Sequence, residues 1–474
     1  MKELTTSYIA KETNGTLIGQ DRTIDGIFNF LNAASEGDVV IRHWIDETGV
    51  DIAAKKGVSC IITQNTKDNA IVRGQELEVP IIVTEKIELA NAFAIKWAIK
   101  KFANESIRVV ITGTNGKSTT AHMIYHILKE AGYSTYTNTD SKSEFNTLID
   151  PMVAKQIAEF EEKIEAMVIE VSEVQGWLND IMKDHAFLMT SAIDPDVVVI
   201  TNVALDHIGL VNSIEETFEE TSGAVKALKK EDGHIILNFD DPLVRKMKES
   251  VSTQNFLFFG EDADIAIKDE GILYKGEILI KKEDLPFKSK HFIQNIMAAI
   301  GAAISLNIKH DTIKNAVSSY KPLKRRFTII HNHPCIIDDF AHNPDGITKT
   351  IENAALIGNG DFFVVSAIRG SRGEVINQVN GEAIAEGLKN IPYKLIVTSS
   401  KDVVDNLNIV TDNEKKVFIN ALENKGIKYI FHERLYDALE NVLNLSHKKD
   451  TILLIGAQGM DPANKLLKEI LSSN

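Results

Sequence analysis

The stretch VVITGTNGKSTTAHMIYHIL, Val109 to Leu128, constrains this chain more than any other. Apolar, β-type residues run into a loop with two glycines, and the loop runs directly into a helical pattern. In such a strand–loop–helix unit, successive backbone N–H groups and the positive end of the helix dipole converge on one point, and an anion belongs there. Gly113 and Gly116 permit the tight turn and a close backbone approach. Lys117 offers a mobile positive charge to terminal phosphates, and Ser118 places a hydroxyl where magnesium would sit. The usual phosphate loop has four residues between its first glycine and the Gly-Lys pair. Here only Thr114 and Asn115 stand there.

The surrounding pattern predicts three regions. Residues 1–100 alternate short apolar runs (GDVVI, SCIITQ, VPIIVTE) with helical segments and end in the helix ELANAFAIKWAIKKF, a small α/β domain. Residues 101–322 carry the loop and then repeat strand and helix through EAMVIEVSE, DVVVITNV and GHIILNFDD, which implies a mostly parallel sheet covered on both faces. Residues 323–474 follow the basic turn KPLKRR with CIIDDF, DFFVVSAI, YKLIVTSS, KYIFHE and DTILLIG, a second doubly wound unit. A chain of 474 residues with 44% hydrophobic content buries several cores, consistent with that division.

Charge and cysteine content exclude other classes. With 52 Lys and Arg against 67 acids and a net charge of −15, the surface is unsuited to nucleic acid. Cys60 and Cys335 alone make neither a disulfide framework nor a CxxC metal site. No apolar run approaches the roughly 18–20 residues of a membrane span, and the N-terminus lacks a signal-like apolar core. The expectation is a soluble, cytoplasmic monomer without membrane or nucleic-acid partners. His331, His333 and Cys335 in HNHPC alternate as on one strand face, but with no fourth ligand they predict an ordinary strand edge rather than a zinc site.

TGTNGKST resembles the ATP-binding signature of the Mur ligase family, ATP-dependent amide ligases that include folylpolyglutamate and cyanophycin synthetases and in which the short loop is normal. The resemblance makes Gly113, Thr114, Asn115, Gly116, Lys117, Ser118 and Thr119 the nucleotide cradle, and it continues in order along the chain. EVSE delivers Glu170 at a strand end as a magnesium ligand with Ser118, and Glu173 stands where the family more often has a small residue. TNVALDHIG assigns His207 to a second magnesium site, and Lys226 is the candidate for the family's carbamylated lysine. KHFIQNIMAA resembles the HNxxNxxAA helix, with Asn295 at the adenine, His291 nearby, and Phe292 replacing the usual asparagine. KRRF places Arg326 at the nucleotide phosphates, with Arg325 in place of a glycine. DDFAHNP resembles the DDYAHNP signature, in which Asp339 meets the ribose and His342 the reacting phosphate, while Asp338 is structural. IRGSRG stands where the family has a basic loop, so Arg369 and Arg372 are candidates to hold a substrate carboxylate.

The implied architecture is α/β with three domains, a central P-loop ATPase-like parallel sheet and a Rossmann-like C-terminal domain. The implied reaction uses ATP and Mg2+ to make an acyl phosphate that an amine converts to an amide, with domain closure assembling the site. The first region is similar to the N-terminal domains of MurE and MurF, and the whole is most similar to the archaeal Mur-like ligases, among which are the pseudomurein peptide ligases. A nucleotide-linked peptide and a free amino acid are the expected substrates. Two other readings stand beside this one: a Mur-like synthetase activating a tetrapyrrole carboxylate in nickel-cofactor synthesis, and a non-catalytic ATP-binding scaffold.

Overall fold

The computed structural model describes residues 3–139, 151–177, 180–204, 211, 213–251, 255–286 and 289–473. Three main sheets organise the described residues. The first has five strands in the order Gly15–Ile18, Ile81–Thr84, Cys60–Thr66, Val39–Ile45, Phe28–Asn29, parallel except for the outermost Gly15–Ile18. The second has nine, running from the edge strand Thr135–Thr137 through Ala166–Glu170, Ile107–Thr112, Val197–Ile200, His234–Asn238 and Phe256–Gly260 to Ile265–Lys268, all parallel. Gly271–Tyr274 and Glu277–Lys281 extend it antiparallel. The third has six, in the order Thr328–Asn332, Cys335–Asp339, Thr451–Ile455, Phe362–Ala367, Lys394–Thr398, Tyr429–His432.

Burial explains why the central strands read as unbroken apolar runs. Val197–Ile200 is buried at every position because helices cover both faces. Val109 and Ile111 pack with the helices Lys117–Glu130 and Lys290–Ser305, while Val110 points the other way into a core shared with Ile87–Phe102 and His185–Ile193. That second core also takes in Phe28, Val39, Ile62 and Ile82 from the first sheet. Ile87–Phe102 thus seals two sheets at once, with Trp97 edge-on to Phe28 at 5.2 Å.

The hairpin Thr328–Asn332/Cys335–Asp339 corrects one detail of the sequence reading. His331 and Cys335 lie on its two strands, separated by the turn at His333 and Pro334, so the three residues do not share one strand face. His331 Nδ1 donates to the Pro334 carbonyl at 2.9 Å. No helix among the described residues is long and apolar enough to cross a membrane.

His185 opens its helix fully buried, and burial lowers its pKa to about 4. In the unfolded chain it titrates near its ordinary 6.5, so the unfolded state binds the extra proton first. Stability is therefore full above pH 6.5 and falls as the pH drops towards 4, by an amount on the order of 3 kcal/mol for this group. Urea unfolding of wild type and His185→Gln between pH 7.5 and 4.5 checks this. The variant's curve is expected to be flatter, and parallel curves refute the assignment.

Candidate active site

The C-terminal ends of Ile107–Thr112, Ala166–Glu170 and Val197–Ile200 lie side by side, with Ile111 opposite Glu170 and Thr112 opposite Ile200. The chain leaves Ile107–Thr112 toward one side of the sheet and later continues on the other, which opens a crevice at the strand ends. The loop Gly113–Gly116 fills its floor. Gly113 is required by space as well as by backbone, and Gly116 by backbone, with the Asn295 side chain close against it. A Cβ on Gly113 (φ 121°) would lie 2.3 Å from Thr201 Oγ1, and one on Gly116 (φ 84°) 2.2 Å from Asn295 Oδ1. Asn295, buried, therefore packs directly on the loop.

The loop is pinned from beneath by TNVA. Asn115 N donates to Asn202 Oδ1 at 2.9 Å, and Asn202 Nδ2 donates back to the Asn115 carbonyl at 2.8 Å. Thr114 Oγ1 donates to the Ala204 carbonyl and accepts from its N–H, at 3.1 and 2.9 Å. Thr119 is buried in the first turn of the helix that follows. Asn202 was not singled out from sequence, although it lies inside the matched TNVALDH stretch.

Two carboxylates meet this loop. Lys117 Nζ donates to Glu173 Oε2 at 2.7 Å and to the carbonyls of Gly113 and Thr114 at 2.6 and 2.9 Å. Ser118 Oγ donates to Glu170 Oε1 at 3.0 Å, and Thr139 Oγ1 to Glu170 Oε2 at 3.2 Å. Asn138 fixes the Glu170 backbone through both its amide atoms, at 2.8 and 3.0 Å. Glu170, Ser118 and Thr139 together present hard oxygen donors of the kind magnesium takes. No group of three or more His, Cys, Asp or Glu poised for a metal occurs among the described residues. His207 lies outside the described residues.

The third sheet's edge brings further groups. Arg326 Nη2 donates to Ser118 Oγ at 3.2 Å, and its guanidinium lies over the Phe340 ring. Arg325, the departure from glycine, sits at φ 60°, the backbone region in which glycine is at ease. Its buried guanidinium holds Asp338, Asp461 and the carbonyls of Gly456 and Ala457. Asp339 accepts from Ala341 N at 2.7 Å, and burial raises its pKa to about 6 against the pull of Arg326. His342 Nδ1 donates to the Phe340 carbonyl at 2.9 Å, and Asn380 Nδ2 donates to the His342 carbonyl. His291 hydrogen-bonds Asn353 at 2.9 Å and is kept neutral by burial, which lowers its pKa to about 4. Phe292 is buried against Phe327 in the apolar core under the third sheet, so it packs where an asparagine would be expected to hydrogen-bond.

Two assignments fare differently. Lys226 ends the helix Ile214–Lys226, exposed, with Nζ 3.3 Å from Glu219, whereas Thr217, Thr221 and Ser222 form the buried face. The ion-pair partner of Lys226 is Glu219, and the lysine takes no part in the hydrogen bonds that tie Ser118, Glu170 and Thr139 together. Arg369 and Arg372 flank a loop anchored by Glu414, a residue missed from sequence. Its carboxylate accepts from the N–H groups of Ser371, Arg372, Gly373 and Thr411. Burial pushes Glu414 up, yet these donors leave its pKa below the ordinary value.

Residues 111–303 match the Mur ligase middle domain and residues 325–458 the Mur ligase, glutamate ligase domain. The chain is 23% identical over 455 residues to the UDP-N-acetylmuramate–L-alanine ligase of Syntrophomonas wolfei, covering 90% of this chain and 89% of that one. In fold it is similar to MurF from Acinetobacter baumannii, with a TM-score of 0.72, 18% identity and coverage of 100% and 99%. It is also similar to a pseudomurein peptide ligase type C from Methanothermus fervidus, with a TM-score of 0.60, 19% identity and coverage of 92% and 95%.

Proposed function

Since the chain belongs to the Mur ligase family, whose members are ATP-dependent carbon–nitrogen ligases forming ADP and phosphate, we propose that it joins an amino acid to a nucleotide-linked peptide in pseudomurein-type wall synthesis. The observation that carries the reading is convergence. Lys117, Glu170 and Glu173 from the second sheet and Arg326 from the approach to the third meet at one phosphate-type loop. The likeness to the Methanothermus fervidus protein supports the pseudomurein branch.

The reaction balances in two steps. A carboxylate oxygen of the peptide attacks the γ-phosphorus of ATP, the bond to ADP breaks, and an acyl phosphate forms. The amine then attacks the acyl carbon, phosphate leaves with the bonding pair, and the nitrogen loses a proton. Lys117 exchanges Glu173 for the β- and γ-phosphates, and Arg326 adds positive charge beside Ser118. Ser118 and Glu170 would hold Mg2+, with His207 at a second ion, and the metal would neutralise charge on the transferring group. Asn295 and His291 face the base, Asp339 accepts from the ribose, and His342 stands by the reacting phosphate. Arg369 and Arg372 take the carboxylate of the incoming amino acid by paired hydrogen bonds.

Phosphate release with ATP and Mg2+ tests the assignment across nucleotide-linked peptides paired with single amino acids, with a seco-tetrapyrrole acid alone as contrast. Release only with peptide and amino acid together is expected and names both substrates. Release with the tetrapyrrole alone moves the protein to cofactor synthesis, and no release under any pairing leaves a binding scaffold.

A further inference from the structure

The side chain of Asn115 points out of the phosphate loop and is read on both its amide atoms by the start of the helix Pro344–Ala355, which belongs to the third sheet's layer. Asn115 Nδ2 donates to Asp345 Oδ2 at 2.9 Å, and Asn343 Nδ2 donates to Asn115 Oδ1 at 2.9 Å. Asn343 is itself fixed, because its Oδ1 caps that helix by accepting from Gly346 N at 2.8 Å. The Asn115 backbone is fixed as well, by the paired bonds to Asn202. A fixed amide on one side thus meets a fixed donor, Asn343, and an acceptor, Asp345, on the other, across two separate sheets.

We propose that Asn115 is a positioning residue: its side chain docks the C-terminal layer onto the phosphate loop, so that Arg326 and Asp339 reach the nucleotide only when this clasp is made. Three features support the assignment. Both amide atoms of Asn115 are taken up, its Nδ2 by an Asp345 oxygen that also accepts from Lys349 Nζ at 2.7 Å, whereas a nucleotide-contacting side chain would leave them open. The neighbouring cross-layer bonds, Arg326 to Ser118 and Asn353 to His291, bear on the same seam. And the loop's grip on phosphate comes from backbone N–H groups and Lys117, which the Asn115 side chain does not supply. The inference deepens the ligase reading and rests on it for the meaning of closure.

The clasp is tested from the helix side, so that no charge enters the phosphate loop. Asp345→Ala removes the acceptor that Asn115 Nδ2 uses, whereas Asp345→Asn keeps an acceptor oxygen while also losing the charge that Lys349 meets. Binding of Mg·AMPPNP and small-angle scattering with that nucleotide are measured on the full chain, together with phosphate release under any active substrate pairing. Asp345→Ala is expected to keep nucleotide affinity within about threefold, to lose the nucleotide-dependent compaction, and to lower turnover by tenfold or more. Asp345→Asn is expected to retain compaction and most turnover. Equal loss in Asp345→Asn, or unchanged compaction and turnover in Asp345→Ala, overturns the proposal. Because binding and compaction are read without the peptide, an inactive wild type counts against the ligase reading and leaves the clasp decided separately.

Discussion

Replacing Lys117 by Ala should abolish substrate-dependent ADP formation, lowering it by about a thousandfold or more. Its ammonium is the positive charge that can follow the phosphoryl group, and it is held at the mouth of the loop by the carbonyls of Gly113 and Thr114. The variant carries a second effect. Glu173 is fully buried and paired with Lys117, so Lys117→Ala takes the ammonium away from a buried carboxylate and destabilises the fold as well. A loss of activity alone would then confuse chemistry with folding. The pair Lys117→Ala/Glu173→Gln separates them, since the neutral amide removes the buried charge without restoring an ammonium. Thermal unfolding should return close to wild type in the double variant while ADP formation stays absent. Persistent substrate-dependent ADP formation in that soundly folded double variant would remove Lys117 from the chemistry and with it the main support for the mechanism.

Much of the fold is legible because the strands that build it are buried on both faces. DVVVI, EAMVIE, DFFVVSAI and DTILLIG read as apolar runs for the same reason that they occupy sheet centres. The strands less evident from sequence are at the margins. Gly271–Tyr274 and Glu277–Lys281 extend the second sheet antiparallel with mixed exposure, and Thr328–Asn332 is a half-exposed edge, so neither carries the buried signal. The same distinction runs through the site. Glu170 and Lys117 sit in motifs whose spacing states their chemistry, whereas Glu414 acts from a helix 42 residues beyond Arg372 through backbone N–H groups, which leave no mark on side-chain pattern. Residue type and helix point to Lys226, but helical phase is the part the sequence states least, and it turns Lys226 to the solvent side while Thr221, five positions earlier, is buried.

Restoring the family's glycine in Arg325→Gly should destabilise the protein, although glycine suits the backbone better. At φ 60° the arginine carries a strain of about 1 kcal/mol, which the substitution relieves. Against that stands the loss of a guanidinium joining Asp338, Asp461 and the carbonyls of Gly456 and Ala457, the turn that leaves the strand Thr451–Ile455. Asp338 is 2% exposed and would be left as a buried charge without its partner, at about 3–5 kcal/mol. The buried charge outweighs the strain, and a net loss of roughly 2–4 kcal/mol follows, or about 5–15 °C in Tm. The deficit depends on pH in a definite direction. Burial already pushes the Asp338 carboxyl up and Arg325 holds it back, so without Arg325 its folded pKa rises further above the unfolded value. Such a group stabilises the fold at low pH and loses that contribution as the pH rises through the folded pKa. The gap between wild type and variant should therefore be widest at neutral pH and narrow as the solution is acidified, and Arg325→Gly/Asp338→Asn should close part of it at pH 7. Equal stability of Arg325→Gly and wild type at pH 7 would mean that the arginine is tolerated at this turn rather than used. In that case the position of Arg326 beside Ser118 would have to be maintained by the Phe340 ring, the Asp339 carboxylate and the bond from Arg326 N to the Leu323 carbonyl.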